Sequence, residues 1–175
     1  MIHGRFQPFH RGHAAYLAEA ASRCETIVVG ITNPDASCVR ETDEDDHRHL
    51  PSANPFSFVE RLTMVRAAAH DLAITDSRVE IVPFPIHHPD RWASYVRAGT
   101  VMYLRVLSPW GERKRRLFEQ HGYATVLLAD ETDSTVTGTA VRERLIAGQS
   151  IDGLVPPSVA KILAARPSPR EPSLS

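Results

Sequence analysis

The sequence predicts an α/β fold: a doubly wound parallel sheet of about five strands with helices on both faces. Three observations predict it. Short apolar runs alternate with helix-period segments along the chain. The run Ile27-Val28-Val29-Gly30-Ile31 is continuously apolar, as strands covered on both faces are. Finally, 175 residues suffice for one domain with a well-buried core, and alternating strands and helices close into such a core as parallel crossovers. The arrangement is Rossmann-like.

The elements follow in order. Met1–His3 is a strand stub, and Gly4–His13 is a loop leading into a helix over His13–Ala21, with Leu17, Ala18 and Ala21 on one side. Glu25–Thr32 is the second strand. Residues 33–54 form a long polar loop holding Glu41-Thr42-Asp43-Glu44-Asp45-Asp46, read as a solvated loop. Asn54-Pro55-Phe56-Ser57 opens a helix over Phe58–Asp71, whose apolar positions include Leu62, Val65 and Ala69. Val79–Phe84 is a strand and Arg91–Arg97 a short helix. Val101–Leu107 is β-rich, and Gly111–Gln120 is a helix stopping at Gly122. Ala124–Leu128 is the last strand, Thr139–Ala147 and Ser158–Ala165 the last helices. The domain is expected over residues 1–165. Residues 166–175, rich in proline and serine, read as a disordered tail.

Composition excludes several classes. The chain is 42% hydrophobic and 23% charged with net charge −1, so no basic field points to nucleic acid. No apolar run approaches the ~20 residues of a membrane span. No leader pattern opens the chain, and a cytoplasmic location is expected. Cys24 and Cys38 form no metal-binding pair and read as reduced thiols.

Two segments carry chemistry. Gly4-Arg5-Phe6-Gln7-Pro8-Phe9-His10-Arg11-Gly12-His13 follows the first strand and opens the first helix, where free backbone N–H groups and the helix dipole face an anion. Gly4 permits a sharp turn, Gly12 a close approach of phosphate, and Arg5 and Arg11 add charge. His10 and His13, three apart, project to one side and can stabilise charge on a leaving pyrophosphate. A lone His-x-x-His pair would read as incidental. This ten-residue string is far more specific. The second segment, Thr137-Gly138-Thr139-Ala140-Val141-Arg142, again joins a loop to a helix start. A threonine can cap it, and Arg142 can clamp phosphates. Alone, it would read as a cap beside a surface arginine.

The first string resembles the signature of the HxGH-type nucleotidyltransferases of the cytidylyltransferase-like superfamily, in particular the nicotinamide mononucleotide adenylyltransferases of archaeal type. The family's Ser/Thr-x-Thr-x-x-Arg element falls on Thr137–Arg142, in the right order. The resemblance covers most of residues 1–163. It implies catalytic roles for His10, His13 and Arg142, and a triphosphate site built from Gly4, Arg5, Phe6, Gln7, Gly12, Thr137, Gly138 and Thr139. Gly30, Trp92, Ser108 and Trp110 are the candidates for base or acceptor recognition: Trp92 falls where the archaeal enzymes place an aromatic against the acceptor's base and reads equally well as a core or lid tryptophan, and Trp110 can stack on a base or cover the core. Nucleoside monophosphate would pass from ATP or CTP to a small phosphate or phosphonate by in-line attack, without a protein nucleophile. Mg2+ is the expected cofactor, held mainly by the nucleotide phosphates and not by protein ligands. Partners would be the two substrates, with neither nucleic acid nor membrane. A homo-oligomer is compatible with the resemblance.

Three departures bear on specificity. The 33–54 loop is longer and more acidic than in the family. Leu107-Ser108-Pro109-Trp110-Gly111 replaces a short Gly-Asn-rich turn that helps recognise the base. Glu131-Thr132-Asp133-Ser134 replaces an aromatic and arginine-rich approach to the second motif, which weakens the case for a bulky acceptor. Three functions therefore stand: adenylyl transfer to nicotinamide mononucleotide, CTP-dependent activation of a small phosphonate or phosphate in specialised metabolism, and non-catalytic nucleotide sensing. Retention of His10, His13 and Arg142 together counts against the third.

Overall fold

The computed structural model describes residues 1–35, 49–106, 109–129 and 136–166. The fold is the predicted α/β class. Strands β1 (Ile2–Gly4), β2 (Ile27–Thr32) and β3 (Val79–Phe84) pair in parallel in the order β1-β2-β3. Strands β4 (Met102–Leu104) and β5 (Thr125–Leu127) form a second parallel ladder. Met1 joins the two ladders: its amino group donates to Val101 O at 2.6 Å, and its carbonyl accepts from Tyr103 N at 2.9 Å. The strand order is thus 3-2-1-4-5, and the direction of winding reverses between β1 and β4.

Period-two alternation in β2 divides the core. Ile27, Val29 and Ile31 face helices α1 (Arg11–Ala21), α2 (Phe58–Asp71) and α5 (Pro157–Ala164), among Leu17, Met64, Val65 and Val159. Val28 contributes to the opposite core, where Met1, Phe84, Trp92, Met102 and Phe118 pack beneath α3 (Pro109–Gln120). Helices therefore cover both faces, with α4 (Gly138–Ile146) adding Val141 to the first core.

Local chemistry fixes the helix ends. Ser57 and Glu60 form a reciprocal capping box on α2: Ser57 N donates to Glu60 Oε2 at 2.7 Å, and Glu60 N donates to Ser57 Oγ at 3.3 Å. Pro109 and Pro157 stand at the starts of α3 and α5, where no backbone donor is lost. Gly122, with φ of +81°, ends the α3 segment.

Three expectations are corrected. The helix expected at Arg91–Arg97 is a 3-10 turn at Pro89–Ser94, because Trp92 is drawn into the core and its indole N–H donates to Pro85 O at 3.0 Å. Among the described residues of the β-rich run 101–107, Met102–Leu104 pair, and Arg105 turns from the ladder towards α1. Arg166, assigned to the tail, is anchored: it pairs with Glu60 at 3.0 Å, donates to Pro55 O at 2.8 Å and lies over the Phe56 ring. Residues 36–48 and 167–175, which hold the acidic run, Cys38 and the rest of the tail, lie outside the described residues, as does Glu131–Ser134. Among the described residues, no helix is long and apolar enough to cross a membrane.

Candidate active site

In an open α/β sheet, ligands bind beyond the carboxyl ends of the strands where the winding reverses. Here that point is the end of β1, and the chain leaving it is Arg5–His13. Gly4 is required by close approach, since a Cβ there would come within 2.8 Å of the Phe6 ring. Phe6 takes a positive φ of 52° and sinks into the core with Phe9 at 5.3 Å. Both rings pack against His13, Phe6 edge-on at 4.9 Å and Phe9 at 5.4 Å.

The two histidines come together as their spacing predicts. Their rings stack with centroids 3.6 Å apart. The backbone N–H of His10 donates to His13 Nδ1 at 3.3 Å. That bond fixes the tautomer of a neutral His13: Nδ1 accepts, so Nε2 carries the proton and can donate to a ligand. Burial drives His13 well below the usual histidine range, and the charges of His10, Arg105 and Arg5 add to it. Burial alone lowers His10 to about 4. Both are therefore neutral hydrogen-bond donors at pH 7. His10 Nδ1 is buried and without a hydrogen-bond partner.

The second motif is built against the first. Thr137 Oγ1 caps α4 by accepting from Ala140 N at 3.1 Å. Arg142 donates to Gln7 O at 2.7 Å, and its other terminal nitrogen donates to Thr139 Oγ1 at 3.0 Å. Gly138 lets the two segments meet, for a Cβ there would lie 2.9 Å from Gln7 O. The N-termini of α1 and α4 thus share one junction, with His10, His13 and Arg142 around it. Gly12 is buried at the start of α1.

Several residues assigned to the site do other work. The Gln7 side chain is spent on structure, donating to Phe56 O and accepting from Phe56 N, both at 2.9 Å. Only its backbone, like that of the buried Phe6, faces the junction's chemistry. Trp92 is 1 % exposed, stacks with Phe84 and packs tilted against Phe118 at 4.4 Å, so it has no free face for a base. Gly30 sits mid-sheet opposite His3; a Cβ there would lie 2.3 Å from Met1 and 3.0 Å from Phe84. It is small because the second core packs onto it. Trp110 is only partly buried, at the start of α3, with His87 stacked on it at 6.0 Å. Ser108 lies outside the described residues.

Two arginines complete the junction. Arg61, 2 % exposed, donates to Arg5 O at 3.0 Å, Thr32 O at 2.7 Å and Asn33 O at 2.8 Å, tying the ends of β1 and β2 together. Arg105, at the end of β4, donates to Gly12 O at 3.4 Å, pairs with Glu19 at 3.3 Å and lies over Tyr16. Sequence reasoning gave Arg105 no role. The only signal was a lone arginine inside the β-rich run Val101–Leu107.

The model of the cytidylyltransferase-like family matches residues 1–144. The phosphonoformate cytidylyltransferase of Streptomyces viridochromogenes is 42% identical over 163 residues, which cover 93% of this chain and 89% of that protein. The nicotinamide-nucleotide adenylyltransferase of Thermococcus kodakarensis is 29% identical over 161 residues, covering 91% of this chain and 79% of that one. Among solved structures, a bifunctional NMN adenylyltransferase/ADP ribose pyrophosphatase from Francisella tularensis superposes with a TM-score of 0.67 at 16% identity. That match covers 94% of this chain and 47% of the bifunctional protein, so this chain spans about half its length. At that identity it bears on the fold alone.

Proposed function

The chain belongs to the cytidylyltransferase-like family and is a nucleotidyltransferase, and from that premise we propose that it transfers CMP from CTP to a small phosphonate, releasing pyrophosphate. The observation that carries this reading is the 42% likeness to a phosphonoformate cytidylyltransferase along nearly the whole of both chains, against 29% for an adenylyltransferase. The burial of Trp92 supports it, because that indole offers no platform for a nicotinamide ring.

In this reading the triphosphate lies across the N-termini of α1 and α4. His10 and His13 donate to its oxygens as neutral imidazoles. Arg142, held by Gln7 O and Thr139, clamps the β- and γ-phosphates. The acceptor oxygen attacks the α-phosphorus in line; its bond to phosphorus forms as the bond to the pyrophosphate oxygen breaks. The growing negative charge on pyrophosphate falls on donors already in place, so no protein nucleophile is needed. Mg2+ fits as an ion carried by the nucleotide: the side chains at the junction are imidazoles and guanidiniums, not the oxygen ligands a hard cation prefers. It would neutralise phosphate charge. We place the reaction in the cytoplasm, with the two substrates as partners and neither nucleic acid nor membrane among them.

A panel of four nucleoside triphosphates against phosphonoformate and nicotinamide mononucleotide, followed by pyrophosphate release, tests the proposal. CTP with phosphonoformate should give the highest kcat/KM. Preferred use of ATP with nicotinamide mononucleotide would return the chain to the adenylyltransferase reading. Tight nucleotide binding without turnover of any pair would favour a sensor.

A further inference from the structure

Two halves of the sheet meet at the candidate site. The His10–His13 pair stands at the start of α1, which packs on the β1-β2-β3 ladder. The other half, β4 and β5, flanks α3 and Trp110 in the chain. Met1 ties the halves together at the amino ends of β1 and β4. At the carboxyl ends, where ligands bind, a tie runs through Arg105, the residue after β4. Its guanidinium lies along one stripe of α1, formed by Gly12, Tyr16 and Glu19 at helical spacing. One terminal nitrogen donates to Gly12 O at 3.4 Å, and the other pairs with Glu19 at 3.3 Å. The guanidinium carbon sits 5.2 Å from the Tyr16 ring centroid, and the Tyr16 hydroxyl donates to Tyr103 O of β4. The Arg105 side chain is only 10 % exposed, so these contacts are largely screened from water.

We propose that Arg105 is a positioning residue for nucleotidyl transfer, gripping α1 at two points so that the His10–His13 pair is fixed against the β4–β5 half of the sheet. Gly12 lies between the two histidines in the chain, so a displaced Gly12 carbonyl displaces the imidazole donors with it. Donors preset for charge that develops in the transition state lose much of their effect when they move by ~1 Å. An arginine suits the task because its guanidinium addresses Gly12 O and Glu19 with separate nitrogens. A lysine has one nitrogen to share between them. The proposal rests on nucleotidyl transfer and not on the choice of CTP or of acceptor.

The test compares Arg105→Gln, Arg105→Lys and Glu19→Gln in the whole protein, with circular dichroism to check that each is folded. Kinetics use the pair from the four-triphosphate panel that wild type turns over fastest. Failure of the cytidylyl reading therefore changes the substrates and leaves the comparison intact. Arg105→Gln should lower kcat at least tenfold, with the triphosphate KM within about twofold of wild type. Arg105→Lys should recover only part of that loss. Glu19→Gln should lower kcat less, and adding it to Arg105→Gln should cost little more, because both act on one contact. A second readout, nitrogen NMR of the histidine rings, needs no substrate and stands alone if no pair is turned over. In wild type the bond from His10 N–H to Nδ1 should hold His13 in a single Nε2–H tautomer. In Arg105→Gln a mixture of tautomers should appear. Wild-type kcat in Arg105→Gln, a loss carried by KM alone, full activity in Arg105→Lys, or an unchanged His13 tautomer in Arg105→Gln overturns the proposal.

Discussion

The two regions expected to form the site differ in how they are made. The triphosphate region is assembled from two continuous strings, and their helix N-termini meet through one bond, Arg142 to Gln7 O. Base and acceptor recognition was assigned to scattered positions, and two of them, Gly30 and Trp92, belong to the second core. Backbone-led phosphate sites are local, so spacing alone reveals them. Recognition of a small acceptor depends on which side chains the sheet brings together, and spacing along the chain does not reveal that.

The sharpest way to break this contrast is the pair of tryptophans. Trp92→Ala removes a fully buried indole and should cost about 3–5 kcal/mol of stability, read by chemical denaturation. Trp110→Ala, at a partly buried site, should cost much less than that and raise the acceptor KM. An acceptor effect confined to Trp92 variants would restore the sequence-based assignment. Next in size is His13→Ala, which should lower kcat by on the order of 10²–10³-fold with the fold retained. Survival of turnover would remove His13 from the mechanism.

Gly138→Ala sharpens the claim that the two strings must touch. Its Cβ would meet Gln7 O at 2.9 Å and push α4 away, so kcat/KM should fall about tenfold, ~1.4 kcal/mol. The smallest effect is that of pH. The folded-state pKa of His10, about 4, lies below the ordinary 6.5. The unfolded chain therefore binds protons first as pH falls. The contribution is complete above pH 6.5 and is lost as pH drops towards 4. Between pH 6.5 and 5.5, His10 alone should cost about 1 kcal/mol, or roughly 2–4 °C in Tm. In His10→Asn the slope should shrink by about that amount and keep the part that the buried His3 and His13 supply; an unchanged slope would remove His10 as a source.

Much of the fold was legible because its signals are local. The Ser57–Glu60 box and the apolar period gave α2 at Phe58–Asp71, and β3 falls on Val79–Phe84 as expected. The turn at Pro89–Ser94 was misjudged because tertiary burial of Trp92 outweighed helix periodicity. At the site, the stacked His10 and His13 followed from their spacing, and the meeting of Arg142 with the first loop followed from family order. The commitment of the Gln7 amide to Phe56, 49 residues away, and the reach of Arg105 to Gly12 left no mark in the sequence. Both are long-range contacts of ordinary polar residues.

The central claim, that a generic phosphate junction here serves cytidylyl transfer to a small phosphonate, is tested most directly in one competition. The protein is given equimolar ATP, CTP, GTP and UTP with Mg2+, phosphonoformate and nicotinamide mononucleotide, and the products are identified by phosphorus NMR and mass spectrometry. The expected products are a mixed anhydride of CMP and phosphonoformate together with pyrophosphate. A dinucleotide of AMP and nicotinamide mononucleotide as the main product would contradict it.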